Sequence, residues 1–180
     1  MKNQFFSKDE LRDLGIRFGK NCLIHKSSNI VFPKNLILEN NVRVDAFTNI
    51  VNPQRIKLKT NVHIGPYCLL IANRGSITLE NNSGLSAGVQ IYTHSDDYTG
   101  TSFFGPFNKE ISGKNQNIII SKFSIIGSNS IILPGAKIPE GVSVGALSLV
   151  NTVLKKWSIY SGNPIKFILP RKKKIKKKIK

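Results

Sequence analysis

Residues 126–150 read IGSNSIILPGAKIPEGVSVGALSLV, and their spacing decides the architecture. An aliphatic residue returns every six positions, at Ile126, Ile132, Ile138, Val144 and Val150, and a small or β-branched residue (Ser130, Ala136, Val142, Ser148) comes four after each of the first four. A helix of about 3.6 residues per turn cannot keep a period of six on one face through successive repeats, and an alternating strand would not put Gly, Asn and Pro at fixed offsets. A triangular coil satisfies both. Three short strands joined by tight corners make a turn of ~18 residues, with the aliphatic residue of each hexapeptide inside and polar residues at the corners, and such coils stack into a column of aliphatic ladders. The same register recurs at Leu38 and Val44, at Leu58, Ile64 and Leu70, and at Leu79, Leu85 and Ile91, with small shifts ascribed to inserted loops. The expected fold class is all-β, a parallel β-helix of hexapeptide repeats with a short N-terminal helix, one long inserted loop and a basic C-terminal tail.

Working outward, the 180 residues fit one domain, with the body over 1–170 and the tail over 171–180. Near the N-terminus, Ser7 and Glu10 have capping-box spacing, Phe6 and Leu11 that of a hydrophobic staple, and Gly15 supplies a stop, which predicts a helix over about 8–14 within a cap of residues 1–20. That cap would cover the open end of the coil stack, where backbone groups otherwise lack partners. At the other end Gly162-Asn163-Pro164 closes the last coil, and Pro170 ends the short segment after that turn. Between them the repeat stops at Ile91 and resumes around Ile120. Residues 93–117 leave the coil, a length that in a compact domain is functional or disordered. The segment carries His94, Asp96, Asp97, Tyr98, Phe103, Phe104 and Phe107, too many aromatics for a disordered linker, so it is expected to fold over something.

The formal net charge of +17 is uneven: the last ten residues, RKKKIKKKIK, hold eight cations and no acid, leaving +9 for the rest. Such a run reads as a solvated terminus, as an attraction to anionic lipid, or as a nucleic-acid contact. Ile175 and Ile179 would give a helical tail a thin apolar stripe, which favours a membrane surface. No recognition helix, RNA-binding signature or aromatic platform accompanies it, so no nucleic acid is expected. Cys22 and Cys68 show no CxxC pairing and read as small buried hydrophobes in a reducing compartment, without a metal. There is no apolar run of signal-peptide length and none of ~18 residues that could span a bilayer, so a cytoplasmic location is expected.

The segments FFSKDELRDLGIRFGKNCLI, NVRVDAF, NVHIGPYC, SDDYTG, LPGAKIPEGVSVGALSLV and WSIYSGNPIKFI together resemble the hexapeptide-repeat acyltransferases, built from [LIV]-[GAED]-x-x-[STAV]-x units, over nearly the whole chain. The likeness is to the bacterial sugar O-acetyltransferases of surface polysaccharide and lipopolysaccharide synthesis. It implies a left-handed β-helix, acetyl-CoA as cosubstrate, no metal, and an acceptor that is a sugar, a nucleotide sugar or a lipid-linked glycan. It also implies a homotrimer with acyl-transfer sites between adjacent β-helices. A peripheral contact of the basic tail with an anionic membrane would place such an enzyme beside lipid-linked intermediates.

Acyl transfer from a thioester to a hydroxyl needs a base near neutral pH, which imidazole provides. In IYTHSDDYTG, residues 91–100, His94 falls where the family's histidine falls, and Asp96 or Asp97 would fix its tautomer. A histidine bonding backbone groups at a corner is the plain alternative. His63 in NVHIGPYC competes: it precedes the inward Ile64 and so projects from a corner, near where these relatives carry a site asparagine and this sequence has Pro66. His63 would replace that contact, be the base itself, or be an ordinary surface residue; His25 reads as surface. Tyr98 and Tyr67 are candidate acceptor contacts. For the donor, the resemblance marks Ser128 and Ala146 along the pantetheine path, and Asn163, Pro164 and Lys166, from a terminal G-N-P-x-K element, at the adenine and phosphate end. Two departures stand out: Val150-Asn151-Thr152-Val153 lacks the family's lysine, and Ile125 replaces a tryptophan. Each small residue is also what a tight corner requires. With neither cysteine exposed in the repeat register and no G-x-S-x-G, direct attack in a ternary complex is expected over a covalent intermediate. An amino-sugar N-acetyltransferase and a non-catalytic scaffold remain open on the same fold.

Overall fold

A computed structural model describes residues 4–96, 98–99 and 114–174. Asp97, Phe103, Phe104, Phe107, Ile175 and Ile179 lie outside the described residues. The chain winds as a three-faced parallel β-helix, left-handed as expected. The first face stacks Arg17–Phe18, Leu36–Leu38, Ile56–Leu58, Ile77–Leu79 and Ile118–Ile120. The second stacks Leu23–Ile24, Arg43–Val44, His63–Ile64, Gly84–Leu85, Ile125–Ile126, Ser143–Val144 and Ser158–Ser161, with Lys166–Pro170 added antiparallel at the end. The third stacks Asn29–Ile30, Asn49–Val51, Leu69–Ile71, Gln90–Tyr92, Ile131–Ile132 and Leu149–Val150.

The inward ladder is as the six-residue period requires: Ile64, Leu70, Ile91, Ile126, Ile132 and Val150 are among the buried core. The register shifts come, as expected, from short insertions, all at the corner between the third and first faces: inward Leu38, Val44 and Ile50 are six apart but Leu58 follows after eight, and Ile64 and Leu70 are six apart but Leu79 follows after nine. The added residues lie at 31–35, 52–55 and 72–76, the first of them holding a short 3-10 turn at Pro33–Asn35. Leu36 therefore pairs with Ile56, a repeat of 20, and Ile56 with Ile77, a repeat of 21, whereas Ile125 pairs with Ser143 at the expected 18. The helix also runs past Val150, where the sequence ends its recognisable repeats: Ser158–Ser161 pairs parallel with Ser143–Val144.

Corners demand left-handed backbone, and Asn tolerates it best among non-glycine residues because its short amide bonds locally. Asn21, Asn41, Asn61 and Asn82, all at φ between 54° and 59°, form one such column. Their amides bond end to end at 3.1, 2.9 and 3.0 Å. The column continues as Phe123, Gly141 and Trp157, where the indole covers Gly141 and leaves no room for a Cβ.

The N-terminal helix is Lys8–Asp13, one residue shorter than expected, and its capping box is formed: Ser7 Oγ accepts from Glu10 N and Glu10 Oε2 from Ser7 N. Gly15 turns the chain at φ 75°, and Leu11 is buried in the core. Cys68 is buried and burial pushes its thiol up to about 11, so it is no nucleophile. Cys22 is only half-buried, contrary to expectation, with Sγ donating to the Glu39 carbonyl at 2.9 Å.

Candidate functional site

The root of the long excursion is a two-stranded antiparallel pair, His94–Ser95 with Lys114–Asn115, after which Ile118 re-enters the first face. His94 is packed into this root with its side chain 12% exposed, and its Nε2 lies 3.2 Å from Asp96 Oδ1. Of the two carboxylates expected beside His94, Asp96 is within hydrogen-bond reach and Asp97 lies outside the described residues. Tyr98 stands out into solvent, 87% exposed.

A groove of about 480 Å³ runs along the outside of the second face. His63, Gly84, Ser86, Phe123, Ile125 and Arg171 line it. Its hollow has a cause in the sequence: Gly84 puts no side chain between the flanking outward residues His63 and Ile125, with which it is in register. His63 is 56% exposed, and its Nε2 lies 2.7 Å from Asp45 Oδ2; Asp45 Oδ1 in turn accepts from Arg43 Nε at 2.6 Å. Burial works to raise the Asp45 carboxyl, but the bonds from Arg43 and His63 outweigh it and hold the group below its usual value. His63 therefore has an oriented carboxylate, as a base requires.

Sequence reasoning misses Asp45, Ser86 and Arg171. Laying NVRVDAF over NVHIGPY places Arg43 above His63, which is the pairing observed, and so brings Asp45 within reach. Arg171 reads as the first residue of the tail, yet its Nη1 donates to the Phe123 carbonyl at 2.7 Å and lies within 3.3 Å of those of Gly141 and Val142. It belongs to the body and closes one end of the groove.

The residues expected at the donor side gather at the corner between the second and third faces. Backbone bonds at 2.9 Å run Gly88 N to Pro66 O, Asn129 N to Ala87 O and Leu147 N to Ser128 O, making one column from the groove's edge through Ser128 to Ala146. Gly162 N bonds to Ser148 Oγ at 2.9 Å, which seats the turn of Asn163 and Pro164 above that column, with Lys166 opening the last strand. Tyr67 shares the corner and stacks on Phe47, ring centroids 5.1 Å apart. The structure does not bring His94 to this groove: within one chain the His94–Asp96 pair lies at the opposite side of the third face. Among the described residues no three His, Cys, Asp or Glu side chains gather as metal ligands, and no helix is long and apolar enough to cross a membrane.

No protein-family model matches the sequence. The chain is 34% identical to AntD, an N-acyltransferase from Bacillus cereus, in a variant crystallised with dTDP and coenzyme A; the match covers 97% of this chain and 95% of that one with a TM-score of 0.92. This is a hexapeptide-repeat acyltransferase. The acyltransferase is also 28% identical over 175 residues to the dTDP-4-amino-4,6-dideoxy-D-glucose acyltransferase of Escherichia coli, covering 95% of this chain and 91% of that one. A maltose O-acetyltransferase from Clostridium difficile shares only the fold with this acyltransferase, at 20% identity over 92% of this chain and 75% of that one, with a TM-score of 0.50.

Proposed function

We propose that the protein transfers an acyl group from an acyl-CoA to the amino group of a nucleotide-linked amino sugar. The observation that carries this reading is the end-to-end likeness to AntD, which has been crystallised with dTDP-4-amino-4,6-dideoxyglucose and coenzyme A and with 3-hydroxybutyryl-CoA. For the O-acetyl reading drawn from the sequence motifs, the maltose O-acetyltransferase offers a likeness of fold alone. Two residues sharpen the assignment. Crystallised AntD variants alter a serine and an aspartate ten positions apart, and Ser86 and Asp96 have that spacing here. Ser86 lines the groove and Asp96 sits at the excursion root, bonded to His94.

A neutral amine is already a competent nucleophile, so the demand on a base is lighter than for a sugar hydroxyl. Asp96, oriented by His94, holds the amine by accepting its N–H. The nitrogen lone pair forms the C–N bond as the C–S bond breaks, and the proton lost from nitrogen passes by way of Asp96 to the departing coenzyme A thiolate. His63 with Asp45 is the second candidate for that proton, and Tyr67 and Tyr98 are acceptor contacts. Ser128, Ala146, Asn163, Pro164 and Lys166 line the path of the donor. Because the groove and the His94–Asp96 pair lie on different sides of one chain, we assign the working enzyme as a homotrimer in which the groove of one chain faces the excursion of the next.

Mass-spectrometric detection of product from acetyl-CoA and dTDP-4-amino-4,6-dideoxyglucose, against the 4-hydroxyl counterpart, tests the reaction class. Acylation of the amino sugar is expected; acylation of the hydroxyl sugar alone would return the protein to the O-acetyltransferases. For the residues, Asp96→Asn is expected to lower kcat by ~10² or more, with His94→Ala close behind. Loss of turnover in His63→Ala with Asp96→Asn unaffected would move the base role to the His63–Asp45 pair.

A further inference from the structure

A second cleft, of about 560 Å³, opens at the corner between the third and first faces. It is walled by Arg55, Lys57, Arg74, Ser76 and Thr78 of the coils that precede the excursion and by Asn117 of the chain's return. Three of these six side chains are cations. Lys57 is paired, its Nζ 2.9 Å from Glu39 Oε1. Arg55 and Arg74 form no ion pair among the described residues. Arg74 Nη1 is in addition buried, with no hydrogen-bond partner among them. A buried guanidinium N–H without an acceptor is costly, and folded chains rarely leave one unless a ligand supplies the missing oxygen.

The backbone around Arg74 is fixed by the return of the excursion. A Cβ on Gly75 would stand 2.6 Å from the Gln116 carbonyl oxygen, so only glycine lets the returning chain lie this close. Asn117 Oδ1 accepts from both Ser76 N, at 2.8 Å, and Ser76 Oγ, at 3.1 Å, locking that return in place beside Arg74. The cleft is therefore a polar, cationic recess beside the point where the chain returns from the excursion to the first face.

We infer that this cleft binds a phosphate group of one of the two substrates, with Arg74 and Arg55 as its charged donors and the Thr78 hydroxyl beside them. Planar guanidinium groups present paired N–H donors that match two phosphate oxygens, and the phosphate oxygens would satisfy the orphaned Nη1. The assignment rests on the nucleotide-sugar reading in one respect: it takes the phosphate to come from the nucleotide diphosphate or from coenzyme A.

Calorimetric titration of the full chain with dTDP, with coenzyme A and with inorganic pyrophosphate separates the possibilities, using wild type, Arg74→Gln and Arg55→Gln. Arg74→Gln is expected to weaken one of dTDP or coenzyme A by about tenfold or more and to leave the other unchanged, and the ligand that is weakened names the source of the phosphate. Its melting temperature without ligand should not fall, since the substitution removes an unpaired donor. Arg55, which is exposed, provides a variant that folds whatever happens at Arg74. Unchanged affinity for both ligands in both variants overturns the site. If wild type binds neither dTDP nor coenzyme A, the nucleotide-sugar reading fails, and pyrophosphate decides the cleft alone: binding lost in Arg74→Gln upholds it, and absence of binding in wild type overturns it.

Discussion

The Asp45 carboxylate joins two coils and orients one histidine, so its protonation state reaches both stability and chemistry. Its pKa is held down in the folded chain because the bonds from Arg43 and His63 exceed the penalty of burial. A group depressed in this way contributes stability above its unfolded pKa, about 3.9, and loses it as pH falls through the lower folded value. Asp45→Asn is therefore expected to melt below wild type at pH 6, and the gap to narrow as pH falls below about 4 toward the lower folded value; a gap of the same size at pH 6 and pH 3 in thermal melts would show that the carboxylate charge is not what matters. None of this is visible at the level of single letters. His63 is recognisable as a projecting residue because it precedes an inward isoleucine, but its partner is 18 positions away and becomes a neighbour only when coils are superposed. By contrast His94 and Asp96 lie two residues apart, and their pairing can be read directly.

Elements in this fold are mostly two to five residues long, so each is defined by its neighbours above and below more than by its own propensity. That explains which parts of the helix the sequence shows. Where the corners are tight the six-residue period is clear, as at Ile126 and Ile132. Where the corner before a first-face strand is lengthened, as before Ile56 and Ile77, the period slips by two or three residues and restarts at Leu58 and Leu79. The close stacking also makes some glycines obligatory. A Cβ on Gly127 would lie 2.5 Å from Ala146 N and 2.8 Å from Val144 O, all backbone of the next coil with nothing flexible to yield. Gly127→Ala is accordingly expected to cost about 1–3 kcal/mol, a fall of several degrees in melting temperature. Ser128→Ala beside it should stay within about 0.5 kcal/mol. Equal melting temperatures for the two variants would mean that the coils can separate at this corner.

Across the whole molecule the charge is divided between a body that uses its cations in specific places and a terminus that repeats them. The dividing point falls after Arg171, since its backbone N bonds to the Trp157 carbonyl at 2.7 Å and its guanidinium is spent on the corner carbonyls of Phe123, Gly141 and Val142. Lys172 to Lys180 then add seven lysines and two isoleucines without an acid. We propose that this run draws the enzyme to anionic bilayers, each cation near such a surface contributing about 1 kcal/mol before screening and mutual repulsion reduce it. Two truncations separate the anchor from the run. A chain ending at Arg171 is expected to keep its melting temperature and its rate on a soluble acceptor, while binding phosphatidylglycerol-containing vesicles much more weakly at moderate salt. A chain ending at Pro170 should in addition melt lower, because three corner carbonyls lose their donor and the groove loses one wall. Vesicle sedimentation equal for full-length and Arg171-ended chains would sink the membrane role, and a lost rate on soluble acceptor in the Arg171-ended chain would place the lysines on a substrate phosphate instead.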